Sequence, residues 1–144
     1  MTTPASTNDT PLEKLTDSGL VLADATQDIR GRKVVDTSGV QIGHASALFI
    51  DEGERKVRMI EVRVGDVLGI GGHHVLLPVD AVTKVDAHEV HVNQTRAHVL
   101  QSPAYDPEII VPPERDYWSP YYGYYGYQPY WGSGYLYPRN GIWP

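Results

Sequence analysis

Six histidines are the residues of this chain best suited to chemistry, and four of them fall in two tight groups. His73 and His74 are adjacent, while His88 and His91 bracket Glu89-Val90. Imidazole nitrogens bind zinc, nickel or copper when several of them converge. On a strand, however, neighbours point to opposite faces and an interval of three also crosses faces. Neither pair converges unaided, so a metal site would need His73, His74, His88 and His91 to meet across strands or between subunits, with His44 or His98 as further donors. The plainer expectation is exposed or hydrogen-bonded histidines, with no metal and no cofactor.

Three other features invite a chemical reading. Gly69-Ile-Gly-Gly72 has the glycine content of a phosphate-cradling loop, but such a loop needs a following helix N-terminus and usually a lysine. Here an apolar, strand-like run follows and no lysine is near, so Gly65 to Gly72 reads as a hairpin bend. Ser38 and Ser46 lie in no nucleophile-elbow pattern. Asp66 and Asp80 flank the bend and a proline, where a carboxylate stabilises a turn. Together these residues form no catalytic constellation, and the expectation is a protein that is not an enzyme. The absence of cysteine excludes disulfides, thiolate catalysis and Cys-type zinc sites.

The unusual chemistry lies near the C-terminus. Nine of the ten tyrosines and all three tryptophans follow Asp116. Tyr117, Trp118, Tyr121, Tyr122, Tyr124, Tyr125, Tyr127, Tyr130 and Trp131 are the candidate interaction residues, because such rings supply large amphipathic contact area. Repeated Pro and Gly argue against a long helix or a regular strand there. The tail is therefore expected to be irregular, and either to dock on the core or a neighbouring subunit, to self-associate, or to adsorb to a glycan or membrane interface. Only Arg115 and Arg139 are available for anionic lipids, which leaves peripheral membrane contact open but weakly supported.

The rest of the chain must position these groups. At 144 residues there is room for one domain. The net charge is −6 and no segment is basic, which disfavours nucleic acid as a partner. Residues 1–18 are polar and read as a flexible arm, ending in a helical turn at Pro11 to Leu15. They carry neither a basic start nor an apolar run, so no signal peptide or membrane span is expected and a cytoplasmic location is the default. Candidate strands follow at Leu20–Ala23, Lys33–Val35, Val40–Ile50, Val57–Val64, His74–Pro78, Ala81–Val85 and Glu89–Val92, with Asp36-Thr-Ser-Gly39 a strong turn signal. In Val57–Val64, Ile60, Val62 and Val64 share one face while Glu61 and Arg63 share the other. Asn93 or Thr95 caps a short helix, Gln94 to Leu100. Short strands at this spacing predict an all-β fold, a small antiparallel barrel or sandwich, with one short helix behind it.

Asp28-Ile-Arg-Gly31, Val35-Asp-Thr-Ser-Gly-Val-Gln-Ile-Gly43, Val57-Arg-Met-Ile-Glu-Val62, Val75-Leu-Leu-Pro-Val79 and Ser102-Pro-Ala-Tyr-Asp106 occur in an order that resembles the PRC-barrel family, the small β-barrel of the reaction-centre H subunit and of the ribosome-maturation factor. The resemblance spans about Leu20 to Asp106 and implies a bacterial or archaeal, non-catalytic assembly module that often self-associates. No membrane helix precedes the barrel and no second, RNA-related domain accompanies it, so photosynthetic and ribosomal roles are not carried over. The expected organisation is an arm over 1–18, a PRC-type barrel over 19–106, and an aromatic tail over 107–144. The expected function is a structural or interaction module that forms a homodimer or higher oligomer or docks a protein partner, its rival being a ligand- or metal-binding sensor built on the barrel histidines.

Overall fold

The computed structural model describes residues 12–15, 22, 25–51, 53–64, 73–103, 105 and 115–138. The sheet contains β1 (Leu12–Lys14), β2 (Lys33–Val35), β3 (Gln41–Asp51), β4 (Val57–Val64), β5 (His73–Pro78), β6 (Val82–Val85) and β7 (Glu89–Val92). Its order is β5-β4-β3-β2-β7-β6, with β1 joined to β3. Two helices follow, α1 (Arg96–Leu100) and α2 (Arg115–Tyr125). The all-β expectation holds. One pairing departs from the antiparallel pattern, since β2 and β7 run parallel. They are far apart in sequence, and no tight hairpin dictates their relative direction.

Local chemistry explains the turns. Asp36 Oδ1 accepts the backbone N–H groups of Ser38 and Val40 at 2.8 and 2.9 Å, and Gly39 takes φ +80° to leave the turn. Asp36 Oδ2 also accepts Arg96 N–H at 3.1 Å, tying the hairpin to the start of α1. Thr95 is the cap of α1, its hydroxyl accepting His98 N–H at 3.2 Å.

Alternation explains the core. Ile60, Val62 and Val64 of β4 meet Ile42, Ala45 and Leu48 of β3, Val75 and Leu77 of β5, Val90 and Val92 of β7, and Val99 of α1. The register of β3 slips between Ala45 and Ala47 and again between Phe49 and Ile50. At the first slip the extra residue is Ser46 of β3, at the second it is Arg58 of β4, and each shifts which side chains point inward. Gly43 sits where β3 and β4 approach closely: a Cβ there would overlap the Arg63 carbonyl, so no side chain fits.

Two expectations are corrected. The helical turn placed at Pro11 to Leu15, within a flexible arm, is instead strand β1, whose Leu12 is fully buried. β2 pairs with β3 only as far as His44, and β1 fills the same edge from Phe49 to Asp51, covering ladder groups that would otherwise be open. The irregular tail contains α2, an eleven-residue helix with Pro120 inside it. The candidate strand at Leu20–Ala23 lies outside the described residues except for Leu22, which packs half-buried against the core outside any strand. The Gly65–Gly72 bend and Asp66 also lie outside them.

Candidate functional site

The nine aromatic candidates divide by burial. Trp118, Tyr121, Tyr122 and Tyr125 recur at intervals of three and four along α2 and are all buried, as is Tyr130 beyond the helix. Tyr117, Tyr124, Tyr127 and Trp131 are half-buried. Ser119, Pro120 and Gly123 fall on the exposed side of α2. Helix-breaking residues are tolerated because packing of the ring-bearing face outweighs their poor propensity. The helix stops at Gly126, which takes φ +82° while its N–H and that of Tyr127 both bond to the Tyr122 carbonyl.

Trp118, Tyr121, Tyr122 and Tyr130 land on the outer face of β3, β4 and β5, while Tyr125 packs with the inner core. Phe49, Met59 and Leu76, with Leu12 of β1, form a second apolar cluster with Tyr105, Trp118, Tyr121, Tyr122 and Tyr130. The Trp118 ring lies 5.1 Å from Phe49, and Tyr105 meets Phe49 edge-on at 6.2 Å. β4 is thus dry on both faces, with only Arg63 exposed. The outer face of β2, β7 and β6 is different: Lys33, Thr83 and Lys84 are exposed, and Glu89 and His91 half-exposed. One side of the barrel is wet and the other is covered by its own chain.

Two charged groups are buried on this side of the sheet, and Arg58 is the one that meets the cover. Arg58, 1% exposed, pairs with Asp51 at 2.8 Å and Glu54 at 2.6 Å, while the rings of Tyr130, Tyr137 and Tyr135 surround its guanidinium at 5.0, 5.3 and 5.8 Å. Glu61, read from the sequence as facing outward, is buried at 5% exposure. It accepts hydrogen bonds from Tyr105 OH at 2.5 Å and Ser46 Oγ at 2.7 Å, with Lys14 Nζ at 3.7 Å and His74 Nε2 at 3.9 Å. Burial, then the Glu61 carboxylate, raise the Tyr105 phenol well above its ordinary range.

The seam is polar and imperfect. Asp80 Oδ1, Ser102 Oγ and the hydroxyls of Tyr122, Tyr125 and Tyr135 are buried without hydrogen-bond partners. Asp80 lies beside Tyr135, and Ser102 beside Tyr125, yet neither pair reaches hydrogen-bond geometry. Burial pushes the Tyr125 phenol up to about 12. It also raises the Asp80 carboxyl above 3.8, against the opposing pull of Tyr135 and Arg58. An acid whose folded pKa is raised binds its proton more tightly when folded, so its contribution to stability falls as pH rises from 3.8 through the folded value. Asp80→Asn removes that loss. The variant is expected to melt higher than the parent at pH 7, with the gap closing as pH falls through the folded pKa toward about 4. Thermal melts of both proteins across pH check this, and a gap independent of pH would assign the effect to something other than the charge.

The histidines do not assemble. His73 and His74 lie on β5, and His88 and His91 on the β6–β7 hairpin, with β4, β3 and β2 intervening in the sheet order. His44 stands opposite Arg63 and Lys33, and His98 stacks on Tyr124 at 4.3 Å. Among the described residues, one group of metal-capable side chains does converge: Asp86, Glu89 and His91 offer donor atoms within 4.8 Å of one another. His91 Nε2 is 3.4 Å from Asp86 Oδ2 and 3.6 Å from Glu89 Oε1. Backbone N–H groups of His88 and Glu89 hold the Asp86 carboxyl down to about 2. In the ladder Lys33 stands opposite Glu89, and Lys84 opposite His91. The geometry is that of a charged hairpin turn.

The fold and its cover define a small β-barrel domain with one outer face closed by an aromatic helix. A family model, the PRC-barrel domain, matches residues 24–99, just over half of the chain, and the chain belongs to that family. Comparison with curated proteins finds no match. The family match ends at Val99, and the aromatic segment lies outside it. No helix among the described residues is long and apolar enough to cross a membrane.

Proposed function

We propose that this protein is a non-enzymatic structural module that self-assembles or docks a protein partner through its barrel and aromatic segment. The PRC-barrel domain is a general structural and interaction module, and its family is generally non-catalytic. The observation that carries the proposal is the dry outer face of β3, β4 and β5. A surface bearing Phe49, Met59 and Leu76 is suited to binding aromatic, amphipathic chain. Arg58, held by Asp51 and Glu54 of the barrel, meets the covering segment through the rings of Tyr130, Tyr135 and Tyr137. Light scattering on the full chain across a range of concentrations tests self-assembly. A dimeric or larger mass is expected, and a monomer at every concentration, with no partner retained by the immobilised chain, would remove the proposal.

A further inference from the structure

The aromatic cover combines a large apolar contact with a poorly satisfied seam. All five buried, unpartnered side-chain oxygens among the described residues belong to it: Tyr122, Tyr125 and Tyr135 on the cover, Asp80 and Ser102 beneath. Each such atom is stabilised by water when the seam opens. The apolar contact holds the cover down while the polar atoms favour its release.

The remaining described surface offers little for another apolar interface. Val40 and Leu136 are the only large hydrophobic residues exposed there. Among the described residues, the outer face of β3, β4 and β5 is the apolar surface that opening of the cover would expose. One segment of matching shape and chemistry is already known to fit that face, namely residues 115–137. Residues 106–114 link the barrel to it and contain Pro107, Pro112 and Pro113. A nine-residue connection spans about 30 Å when extended.

We propose that the outer face of β3, β4 and β5 is a docking site for the aromatic segment of a second copy of this chain, so that self-association proceeds by exchange of residues 115–137 between protomers. This rests on the self-assembly reading and specifies its surface. In the monomer the segment docks on its own barrel, where tethering gives it an effective concentration of about a millimolar. Exchange is therefore a high-concentration event that forms the same contacts reciprocally.

The absence of cysteine makes the test clean. Tyr127 OH donates to Asn93 Oδ1 at 2.6 Å across the edge of the seam, and Tyr124 stacks on His98. Full-length Asn93→Cys and Tyr127→Cys proteins are mixed and treated with a short bis-maleimide, and the His98→Cys and Tyr124→Cys proteins provide an independent pair. Exchange predicts a cross-linked dimer joining the two different variants. While dimer is the minor form, its fraction rises about tenfold for each tenfold rise in concentration. Either variant alone should give background only. The double variants Asn93→Cys/Tyr127→Cys and His98→Cys/Tyr124→Cys, at low concentration, report docking within one chain. If both mixtures stay at background while both double variants cross-link internally, exchange is overturned. Light scattering then separates the two failures: dimers without the cross-link remove exchange but keep self-assembly, and monomers remove both.

Discussion

Replacing Arg58 by methionine is expected to destabilise the protein by about 3–5 kcal/mol, the range for removing one partner of a buried ion pair. In a chain of this size that corresponds to a fall in melting temperature of roughly 10–15 °C. Arg58 and Asp51 have side chains 1% and 0% exposed, so their pairing escapes the screening that makes surface pairs weak. Most of the cost comes from what is left behind. Asp51 Oδ1 would lose the Arg58 Nε–H and keep the Lys56 backbone N–H, while Oδ2 keeps that of Glu54. The charge remains buried with its main counterion gone, and Tyr130 and Tyr137 lose the cation between them. Adding Asp51→Asn removes the stranded charge and keeps an acceptor for the turn, so the double variant should be less destabilised than the two single losses summed. Denaturant melts of the four proteins give the coupling. Simple additivity would show that Arg58 acts through the rings alone.

How much of this was legible in the sequence follows from how local each signal is. The Asp36–Gly39 turn and the inner face of β4 were readable because their causes lie within a few residues: a carboxylate beside backbone N–H groups, and a period of two. The outer face was not. Glu61 sits at a position that reads as solvent-facing, and Arg58 is a charge within an apolar run; only the distant Tyr105 and Tyr130 to Tyr137 account for their burial. A usable signal was nonetheless present in the tail. Trp118, Tyr121, Tyr122 and Tyr125 have helical spacing, and Gly126 stands where a helix ends, but Pro120 and Gly123 outweighed them on propensity. β1 was missed for a related reason: three residues have no periodicity of their own, and the open edge of β3 that orders them is a tertiary feature. The reluctance to read His73, His74, His88 and His91 as one site rested on strand geometry, and the sheet order keeps the two pairs apart.

Trp118→Ala is the second substitution expected to have a large effect, about 3–5 kcal/mol for removing a large buried aromatic. The ring is 1% exposed and lies against Phe49, with Tyr117 edge-on at 5.0 Å. Its loss empties the centre of the outer cluster and leaves Val99 and the inward residues of β3 to β7 untouched. The damage should therefore be uneven. Hydrogen exchange is expected to accelerate most in residues 115–137, and less at the amides of β3 and β4 that share the inner core. Phe49→Ala combined with Trp118→Ala should cost about 0.5–1.5 kcal/mol less than the two single changes summed, the coupling expected of an aromatic pair. Tyr124→Ala is the contrast, because that ring is half-exposed and stacks on the exposed His98. It should cost less than about 1 kcal/mol. Comparable losses from Trp118→Ala and Tyr124→Ala would mean that the cover rests loosely on the barrel. A large loss confined to Trp118 would make it a second core, whose opening is then the costly step in exposing the face beneath.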